Sequence, residues 1–383
     1  MAGIAAASFY IPRYSISADE YRKALGKFEA HGIREKCVPG FDEDEITMAV
    51  AAGERGMGSA SPAFIAYGSS SRTPVLDTIP VALGLENAAK EEILGEPNAG
   101  TAALRAALEF TAKEGRPALA IASDAPRAFA GSVAEHPLAG GAAAFLVTAD
   151  GPVRRLDEPG AGTASDLLAR IGYTGAASAP LAFVDTLAHA APGSRVSAES
   201  ILFDVTAKPD GDLDLMRALD ARVPITYEQY LAFRRYNPPP AGTEYSQGAY
   251  VSLPAYRAEA KARYRLIGEK CAKCGRLHFP PRESCVACGG RTWEDAPLKR
   301  TATVYAYTII GKGAAPSEFL EQQLAVGEYA TAVVALDDGP RVAAMLADVD
   351  PRDVRVGMPV RMVFRRIYAQ EGVTRYGFKF APA

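Results

Sequence analysis

The stretch CAKCGRLHFPPRESCVAC, residues 271–288, contains four of the five cysteines in the chain. They form two C-x2-C pairs, Cys271 with Cys274 and Cys285 with Cys288, and ten residues separate the pairs. A tetrahedral zinc site needs four thiolates that converge on one point, and two short knuckles joined by a small loop supply them. Four protein thiolates leave no open coordination position for water, so we predict a structural zinc ion and not a catalytic one.

Segments with alternating polar and apolar residues follow the cysteine cluster, at 301–310, 328–336, 340–348, 359–367 and 374–380. Several short strands with Gly and Asp turns and little helix predict a small β-barrel. A helix is predicted before the cluster, over 253–264. Another amphipathic helix is predicted over 224–236, and the NPPP run at 237–240 ends it because proline cannot continue a helix.

Residues 1–220 have a different pattern. Apolar, strand-like runs at 118–123 and 142–148 alternate with helical patterns at 81–94 and 101–113. Such alternation predicts an α/β layered structure. The expected regions are an α/β domain over 1–220, a helical linker over 221–265, a zinc ribbon over 266–298 and a β-barrel over 299–383.

The composition is that of an ordinary globular protein. The chain has 383 residues, a net charge of −3 and 48% hydrophobic residues, which suits two or three domains. Without a basic surplus we expect no nucleic-acid partner, and no apolar run approaches the roughly 20 residues that cross a membrane. No charged segment precedes the short apolar run at the N-terminus, so we expect no signal peptide. Zinc thiolates and a single further cysteine favour a reducing compartment, and the cytoplasm is the expected location.

The sequence over about 225–383 resembles a known family. Tyr264-Arg265-Leu266 precedes the knuckles, the FPPR motif lies between them at 279–282, and Trp293-Glu294 and the TVYAYT run at 303–308 follow. This pattern resembles the family once called domain of unknown function 35, a rubredoxin-like zinc ribbon followed by an OB-fold, found beside thiolases and related acyl-CoA enzymes. The resemblance implies coenzyme A or acyl-CoA as a ligand. An OB-fold can also bind oligonucleotides, but the barrel segments lack a basic, aromatic-studded pattern.

The N-terminal half is similar to a second family. The matching segments are YIPRY at 10–14, VPGFDEDEITMA at 38–49, AGTA at 99–102, SDA at 123–125 and GGAAAF at 140–145. They look like the opening of archaeal-type hydroxymethylglutaryl-CoA synthases within the thiolase superfamily, and residues 172–205 are similar to the closing segment of that fold. Few residues separate the two parts, so the resemblance implies a truncated thiolase-like domain.

Thiolase-superfamily chemistry needs a cysteine nucleophile at the start of a helix, where the helix dipole and a nearby base favour the thiolate. The resemblance matches the family's cysteine to Pro97, its acidic residue to Ser70 and its asparagine to Tyr173, and its histidine falls in the missing stretch. Proline has no nucleophile, and serine is no general base near neutral pH without an activating partner. The resemblance therefore implies that this chain keeps none of the family's catalytic residues.

Other reactive side chains lie outside these motifs. Cys37 is predicted to be an inert, buried residue. His136 and His189 are interpreted as structural or surface residues, because a histidine needs an oriented partner to act as a base. His278 lies between the knuckles and is interpreted as a loop residue, since four cysteines already complete the tetrahedron.

Three polar segments have two interpretations each. The turn at 69–72, SSSR, is interpreted as a polar turn, although hydroxyls and an arginine can hold a phosphate or an acyl carbonyl. The acidic run at 41–45 is predicted to start a helix, with a partner interface as the alternative. Basic residues flank the helices before the ribbon, and their side chains suit either the phosphates of coenzyme A or a solvated helix face. They are Arg234, Arg235, Lys261, Arg263, Arg265 and Lys270.

These features favour a non-catalytic or accessory acyl-CoA-binding subunit. The expected partner is a thiolase-superfamily catalytic subunit, in a hetero-oligomer that makes or cleaves a carbon–carbon bond in a β-ketoacyl-CoA with the partner's cysteine as nucleophile. Two alternatives are open. One is an autonomous acyl-CoA acyltransferase or hydroxymethylglutaryl-CoA synthase-like enzyme with another site, and the other is a free-standing acyl-CoA carrier.

Overall fold

The computed structural model describes residues 2–160, 167–236, 253–370 and 373–383. The chain forms two units, Met1–Tyr236 and Asn237–Ala383. The prolines predicted to end a helix lie in 237–252, outside the described residues. Within the described ranges, no helix combines the length and the apolar character that a membrane span requires.

A large mixed sheet organises the first unit. Its strands have the order β5-β4-β6-β7-β1-β8-β10-β9; β4 is parallel to β5 and β6, and the other neighbouring pairs are antiparallel. A small sheet has the order β11-β2-β3. The strands are β1 (Gly3–Tyr10), β2 (Tyr14–Ser17), β3 (Glu35–Val38), β4 (Phe64–Ser69), β5 (Ala89–Leu94), β6 (Ala118–Asp124), β7 (Gly141–Thr148), β8 (Val153–Pro159), β9 (Arg195–Ala198), β10 (Ile201–Val205) and β11 (Val223–Pro224). The helices are α1 (Ala18–Leu25), α2 (Glu45–Met57), α3 (Ile79–Leu83), α4 (Ala99–Glu114), α5 (Leu168–Ile171), α6 (Ser178–His189), α7 (Leu215–Asp220) and α8 (Tyr227–Phe233).

Helices cover both faces of the large sheet. Side chains alternate between the faces of a strand, and in β6 the residues Ala120 and Ala122 share one core with apolar residues of α4 and α6. Ile121 points to the opposite face, where a Cβ on Gly53 of α2 would lie 3.0 Å from its side chain. The predicted α/β layered domain is confirmed.

The acidic run at 41–45 begins α2, as predicted. Asp44 is its N-cap, and the Asp44 carboxylate accepts the N–H groups of Ile46 and Thr47 at 3.1 and 3.0 Å. The Thr47 hydroxyl in turn accepts the Asp44 N–H at 2.9 Å. This capping box satisfies amides that have no partner within the helix.

The helix predicted over 81–94 is wrong. Helix α3 ends at Leu83, where Gly84 adopts a left-handed φ of 78°. Residues 89–94 instead form β5 at the edge of the sheet, with Lys90 and Glu91 exposed. An edge strand tolerates polar residues, and its pairing with β4 overrides their helical preference.

Two other predicted helices differ in length. Helix α8 begins only at Tyr227, because Thr226 and Gln229 form a capping box there. The helix predicted over 253–264 is divided into two short helices, α9 (Leu253–Ala258) and α10 (Ala260–Arg265).

The second unit contains a small three-stranded sheet and a five-stranded antiparallel sheet, with orders β13-β12-β14 and β17-β16-β15-β18-β19. The larger sheet nearly closes, because the Ala347 N–H donates to the Phe380 carbonyl at 2.8 Å. The predicted zinc ribbon and OB-type barrel are confirmed. The elements are β12 (Ile267–Cys271), β13 (Leu277–His278), β14 (Trp293–Pro297), β15 (Thr301–Ile310), α11 (Leu320–Val326), β16 (Tyr329–Leu336), β17 (Arg341–Met345), β18 (Pro359–Gln370) and β19 (Val373–Pro382).

Candidate functional site

Two matching turns present the four cysteines. The Gly275 N–H donates to the Cys271 carbonyl at 2.8 Å, and the Gly289 N–H donates to the Cys285 carbonyl at 2.9 Å. Both glycines have a left-handed backbone, with φ values of 74° and 67°. Glycine adopts this conformation without the steric cost that a Cβ would bring. Each C-x-x-C-G segment therefore turns in the same way and directs its two sulfurs toward the other knuckle.

The sulfur atoms form a compact cluster. All four lie within 4.8 Å of one another. The Sγ atoms of Cys271 and Cys288 are 3.6 Å apart, as are those of Cys274 and Cys285. Thiolates about 2.3 Å from a tetrahedral zinc ion are about 3.8 Å apart. The four cysteines are thus positioned for metal binding, and the thiolate donor set fits Zn²⁺.

His278 differs from the loop residue that the sequence suggested. It lies on β13 and is buried, with its ring edge against Trp293. Its Nε2 atom is 3.3 Å from the Cys285 Sγ atom. An N–H group beside a ligand thiolate stabilises the charge and orients the ligand. The sequence analysis considered only the four ligands. It therefore missed the role of His278, which contacts a ligand and is not a ligand itself.

The same hydrogen bond affects the acidity of Cys285. Burial raises the pKa of this thiol, but the backbone N–H groups of Ala287 and Cys288 and the His278 side chain lower it to about 6. Metal binding requires the thiolate form. The lowered pKa favours this form at Cys285.

In the first unit, the turns matched to thiolase motifs meet at a buried carboxylate. Asp124 is 1% exposed at the end of β6. Its Oδ2 atom accepts the N–H groups of Ser70 at 2.8 Å and Ala176 at 3.0 Å, and its Oδ1 atom accepts the Ala125 N–H at 3.1 Å. Sequence reasoning gave Asp124 no role, although it lies in the matched SDA segment. Its carboxylate joins three backbone segments.

The start of α4 packs against these turns. A Cβ on Gly100 would collide with the Ala176 carbonyl, and one on Gly68 would collide with the Ala99 carbonyl. Pro97 lies in the exposed turn just before α4. Tyr173, three residues before Ala176, is 36% exposed. The segments that carry Pro97, Ser70 and Tyr173 are therefore brought near one another, and these three side chains provide neither a thiol nor an imidazole.

Cys37 lies on β3 and not in the turns that carry Pro97, Ser70 and Tyr173. It is buried on β3, where the Arg222 Nη1 atom is 3.3 Å from its sulfur. Burial raises the pKa of the Cys37 thiol to about 11, against the lowering effect of Arg222. The thiol is neutral near pH 7 and a poor nucleophile, which agrees with the prediction of an inert residue.

The two histidines of the first unit singled out above have structural surroundings. His189 is exposed near the end of α6, and its Nδ1 atom is 2.8 Å from the Asp185 carbonyl oxygen. His136 is fully buried, and its Nδ1 atom accepts the Glu29 N–H at 2.9 Å. The adjacent Glu135 carboxylate accepts the Tyr21 hydroxyl at 2.8 Å. Both histidines are interpreted as structural or surface residues on this basis.

The basic residues before the ribbon do not form one solvated face. Arg234 is 4% exposed and donates to the carbonyl oxygens of Ala125 and Pro126. Arg263 stacks on Tyr256, 3.8 Å from the centroid of its ring. Both arginines therefore have contacts that a solvated helix face does not have.

The barrel exposes aromatic side chains on one strand. Tyr305 and Tyr307 of β15 are 51% and 41% exposed, and the Arg341 guanidinium carbon lies 3.7 Å from the centroid of the Tyr305 ring. This exposed aromatic pair departs from the expectation of a barrel without such a face, and its basic neighbour was not predictable because Arg341 comes from another strand.

Residues 258–294 match the model of the ChsH2 rubredoxin-like zinc ribbon domain, and residues 295–365 match that of the ChsH2 C-terminal OB-fold domain. A DUF35 domain-containing scaffold protein of Methanocaldococcus jannaschii is 39% identical over 125 residues, which are 32% of this chain and 84% of that protein. The chain belongs to the DUF35 family. Its match to this DUF35 scaffold protein confirms the resemblance of the C-terminal half.

Two further relatives are a synthase and a thiolase subunit by name. A hydroxymethylglutaryl-CoA synthase of Methanocella arvoryzae is 33% identical over 164 residues, 38% of this DUF35 chain and 46% of the synthase. The chain thus spans about half the length of that synthase. Benzoylsuccinyl-CoA thiolase subunit BbsA of Thauera aromatica is 27% identical over 124 residues, 32% of this chain and 79% of BbsA.

Proposed function

We propose that this chain is a non-catalytic, accessory subunit of a thiolase-type complex. Its partner is a thiolase-superfamily subunit that carries the nucleophilic cysteine and makes or cleaves a carbon–carbon bond in a β-ketoacyl-CoA. The zinc ribbon and OB-fold bind the acyl-CoA. Zinc, held by Cys271, Cys274, Cys285 and Cys288, maintains the ribbon and takes no part in the chemistry.

The observation that carries this proposal is the turn before α4. Pro97 occupies the position that the resemblance assigns to the nucleophile, and the nearby Asp124 carboxylate is engaged by three backbone amides. The names of the relatives agree with an accessory role, since one is a scaffold protein and another is a thiolase subunit.

The test compares the purified chain with the same chain co-expressed with thiolase-superfamily proteins of its own genome. Thiolysis and condensation are measured against a panel of short acyl-CoAs. We expect a stable complex, turnover only in that complex, and loss of turnover when the partner's nucleophilic cysteine is replaced by alanine. Turnover by the lone chain at the rate of the complex would contradict the proposal.

An autonomous acyl-CoA enzyme is the second candidate, and Glu45 is the observation that favours it. Burial raises the pKa of the Glu45 carboxyl, and the charges of Asp44 and Asp124 raise it further. A carboxyl group with a raised pKa suits a general acid. Glu45→Gln separates the candidates, because it abolishes turnover by an autonomous enzyme and leaves the turnover of a complex close to that of the wild type.

A further inference from the structure

Two arginines of the second unit share one tyrosine ring. The guanidinium carbons of Arg263 on α10 and Arg375 on β19 lie 3.8 and 4.5 Å from the centroid of the Tyr256 ring. The Tyr256 hydroxyl accepts the Tyr376 N–H at 2.9 Å and lies 3.0 Å from the Tyr264 hydroxyl. The ring is therefore held against β19 and contacts both guanidinium groups.

Several N–H groups of these arginines have no acceptor among the described residues. Arg375 is 8% exposed, and its Nε and Nη1 atoms are buried without a hydrogen-bond partner in the described part of the chain. The Arg263 Nε atom is likewise buried without a hydrogen-bond partner in that part of the chain. Arg263 also donates to the Tyr256 carbonyl, lies 3.7 Å from the exposed Glu259 carboxylate and lies 5.9 Å from the centroid of the Tyr264 ring. Buried N–H groups of a cation are normally satisfied, and burial of a charge is costly unless an opposite charge or hydrogen bonds compensate it.

The backbone leaves room for this arrangement. Gly377 lies on β19, and a Cβ there would be 3.1 Å from the Arg263 Cγ atom. The absence of that side chain lets Arg263 lie across the strand. The Arg263 side chain keeps 23% of its surface exposed, so this arginine is the more accessible of the two.

We propose that Arg263, Tyr256 and Arg375 form an anion site that takes a phosphate group. A phosphate group offers several acceptor oxygens to the unsatisfied N–H groups, and its negative charge offsets the two guanidinium charges. Coenzyme A carries phosphate groups, and its assignment as the source rests on the proposed function. Free inorganic phosphate has the same chemistry and is the other source.

The test titrates the full chain, and its complex with the catalytic partner, with coenzyme A, pantetheine and inorganic phosphate. Arg375→Gln removes one charge and its donors, so we expect the affinity for coenzyme A to fall about ten- to hundredfold. Arg263→Gln, at the more exposed arginine, is the second variant should Arg375→Gln fail to fold. Arg341→Gln is the matched control, because Arg341 also stacks on a tyrosine but does so on the exposed Tyr305.

The outcomes separate the two sources. Competition between inorganic phosphate and coenzyme A, with pantetheine binding weakly, supports the site and its assignment. Binding of inorganic phosphate that is lost in Arg375→Gln, without any response to coenzyme A, supports the site and assigns it to free phosphate. Three results would overturn the inference. They are unchanged affinities in both arginine variants, equal binding of pantetheine and coenzyme A, and no binding in either preparation. Co-purification and turnover, which test the proposed function, do not depend on these results.

Discussion

Among single residues, His278 is expected to strengthen zinc binding without being a ligand. His278→Phe keeps an aromatic ring against Trp293 and removes the N–H group beside the Cys285 sulfur. Loss of such a partner typically weakens metal affinity about ten- to hundredfold. We expect that decrease in competition titrations with a chromophoric zinc chelator.

The control for this prediction is Trp293→Phe, which changes the packing of the His278 ring and keeps its hydrogen bond. We expect it to have a zinc affinity close to that of the wild type. Equal weakening in the two variants would show that packing, and not the hydrogen bond, supports the metal.

His136 is expected to make the first unit less stable in acid. Burial lowers the pKa of His136 from 6.5, against the raising effect of Glu135, and its Nδ1 atom accepts the Glu29 N–H only when unprotonated. Below about pH 6.5 the His136 imidazole therefore binds a proton more readily in the unfolded chain than in the folded chain. The free energy of unfolding should fall between pH 7 and pH 5, by at most about 1.4 kcal/mol per pH unit from this group.

Denaturant unfolding at the two pH values measures this effect. His136→Asn supplies a side-chain oxygen at the position of Nδ1 for the Glu29 N–H and does not titrate. The variant should therefore lose less stability between pH 7 and pH 5 than the wild type. An identical pH dependence in both proteins rules out His136 as the source.

The individual residues differ in how far the sequence could predict them. The four cysteines were predictable because each C-x-x-C-G knuckle is a local structure encoded by adjacent residues. Asp124 and His278 were not, because their partners come from other segments. The Asp124 carboxylate joins the turns at Ser70 and Ala176, which are far from it along the chain.

At the scale of elements, the capping box of α2 gives a direct prediction. Asp44→Ala removes the carboxylate that accepts the N–H groups of Ile46 and Thr47. Loss of such a cap costs about 1 kcal/mol in the free energy of unfolding. Asp19→Ala is the matched control, since Asp19 is an exposed acid in the first turn of α1 and not its cap. We expect the control to change stability by less than about 0.5 kcal/mol in urea unfolding.

Elements in which buried and exposed residues alternate regularly were predicted well, whereas the edge strand β5 was not. Strand β15 has the bounds predicted for it, 301–310, because it alternates buried and exposed residues over its first half. Strand β5 was mistaken for a helix, since at the sheet edge its polar residues Lys90 and Glu91 face solvent. Whether such a segment is a strand depends on its neighbour β4, which lies elsewhere in the sequence.

For the whole molecule, the two units predict two unfolding transitions in calorimetry. Removal of zinc with a chelator should lower the melting temperature of only one, because a thiolate-bound structural zinc contributes directly to the stability of its own fold. Cys285→Ser should lose zinc and reproduce this effect. Cys37→Ser, in the first unit, is the matched control and should retain full zinc content by elemental mass spectrometry. A single transition that shifts as a whole on chelation would contradict the prediction.

The burial of the four cysteines has a consequence for how a metal ion enters and leaves. Cys271 and Cys285 are buried, whereas Cys274 is exposed and Cys288 is partly exposed. Each knuckle therefore has one buried cysteine and one cysteine that is at least partly exposed to solvent. A competing thiolate or an oxidant reaches Cys274 and Cys288 first, since such reactions follow access to the sulfur. If zinc is bound here, we expect its exchange to begin at Cys274 and Cys288 and to end at Cys271 and Cys285, one cysteine from each knuckle.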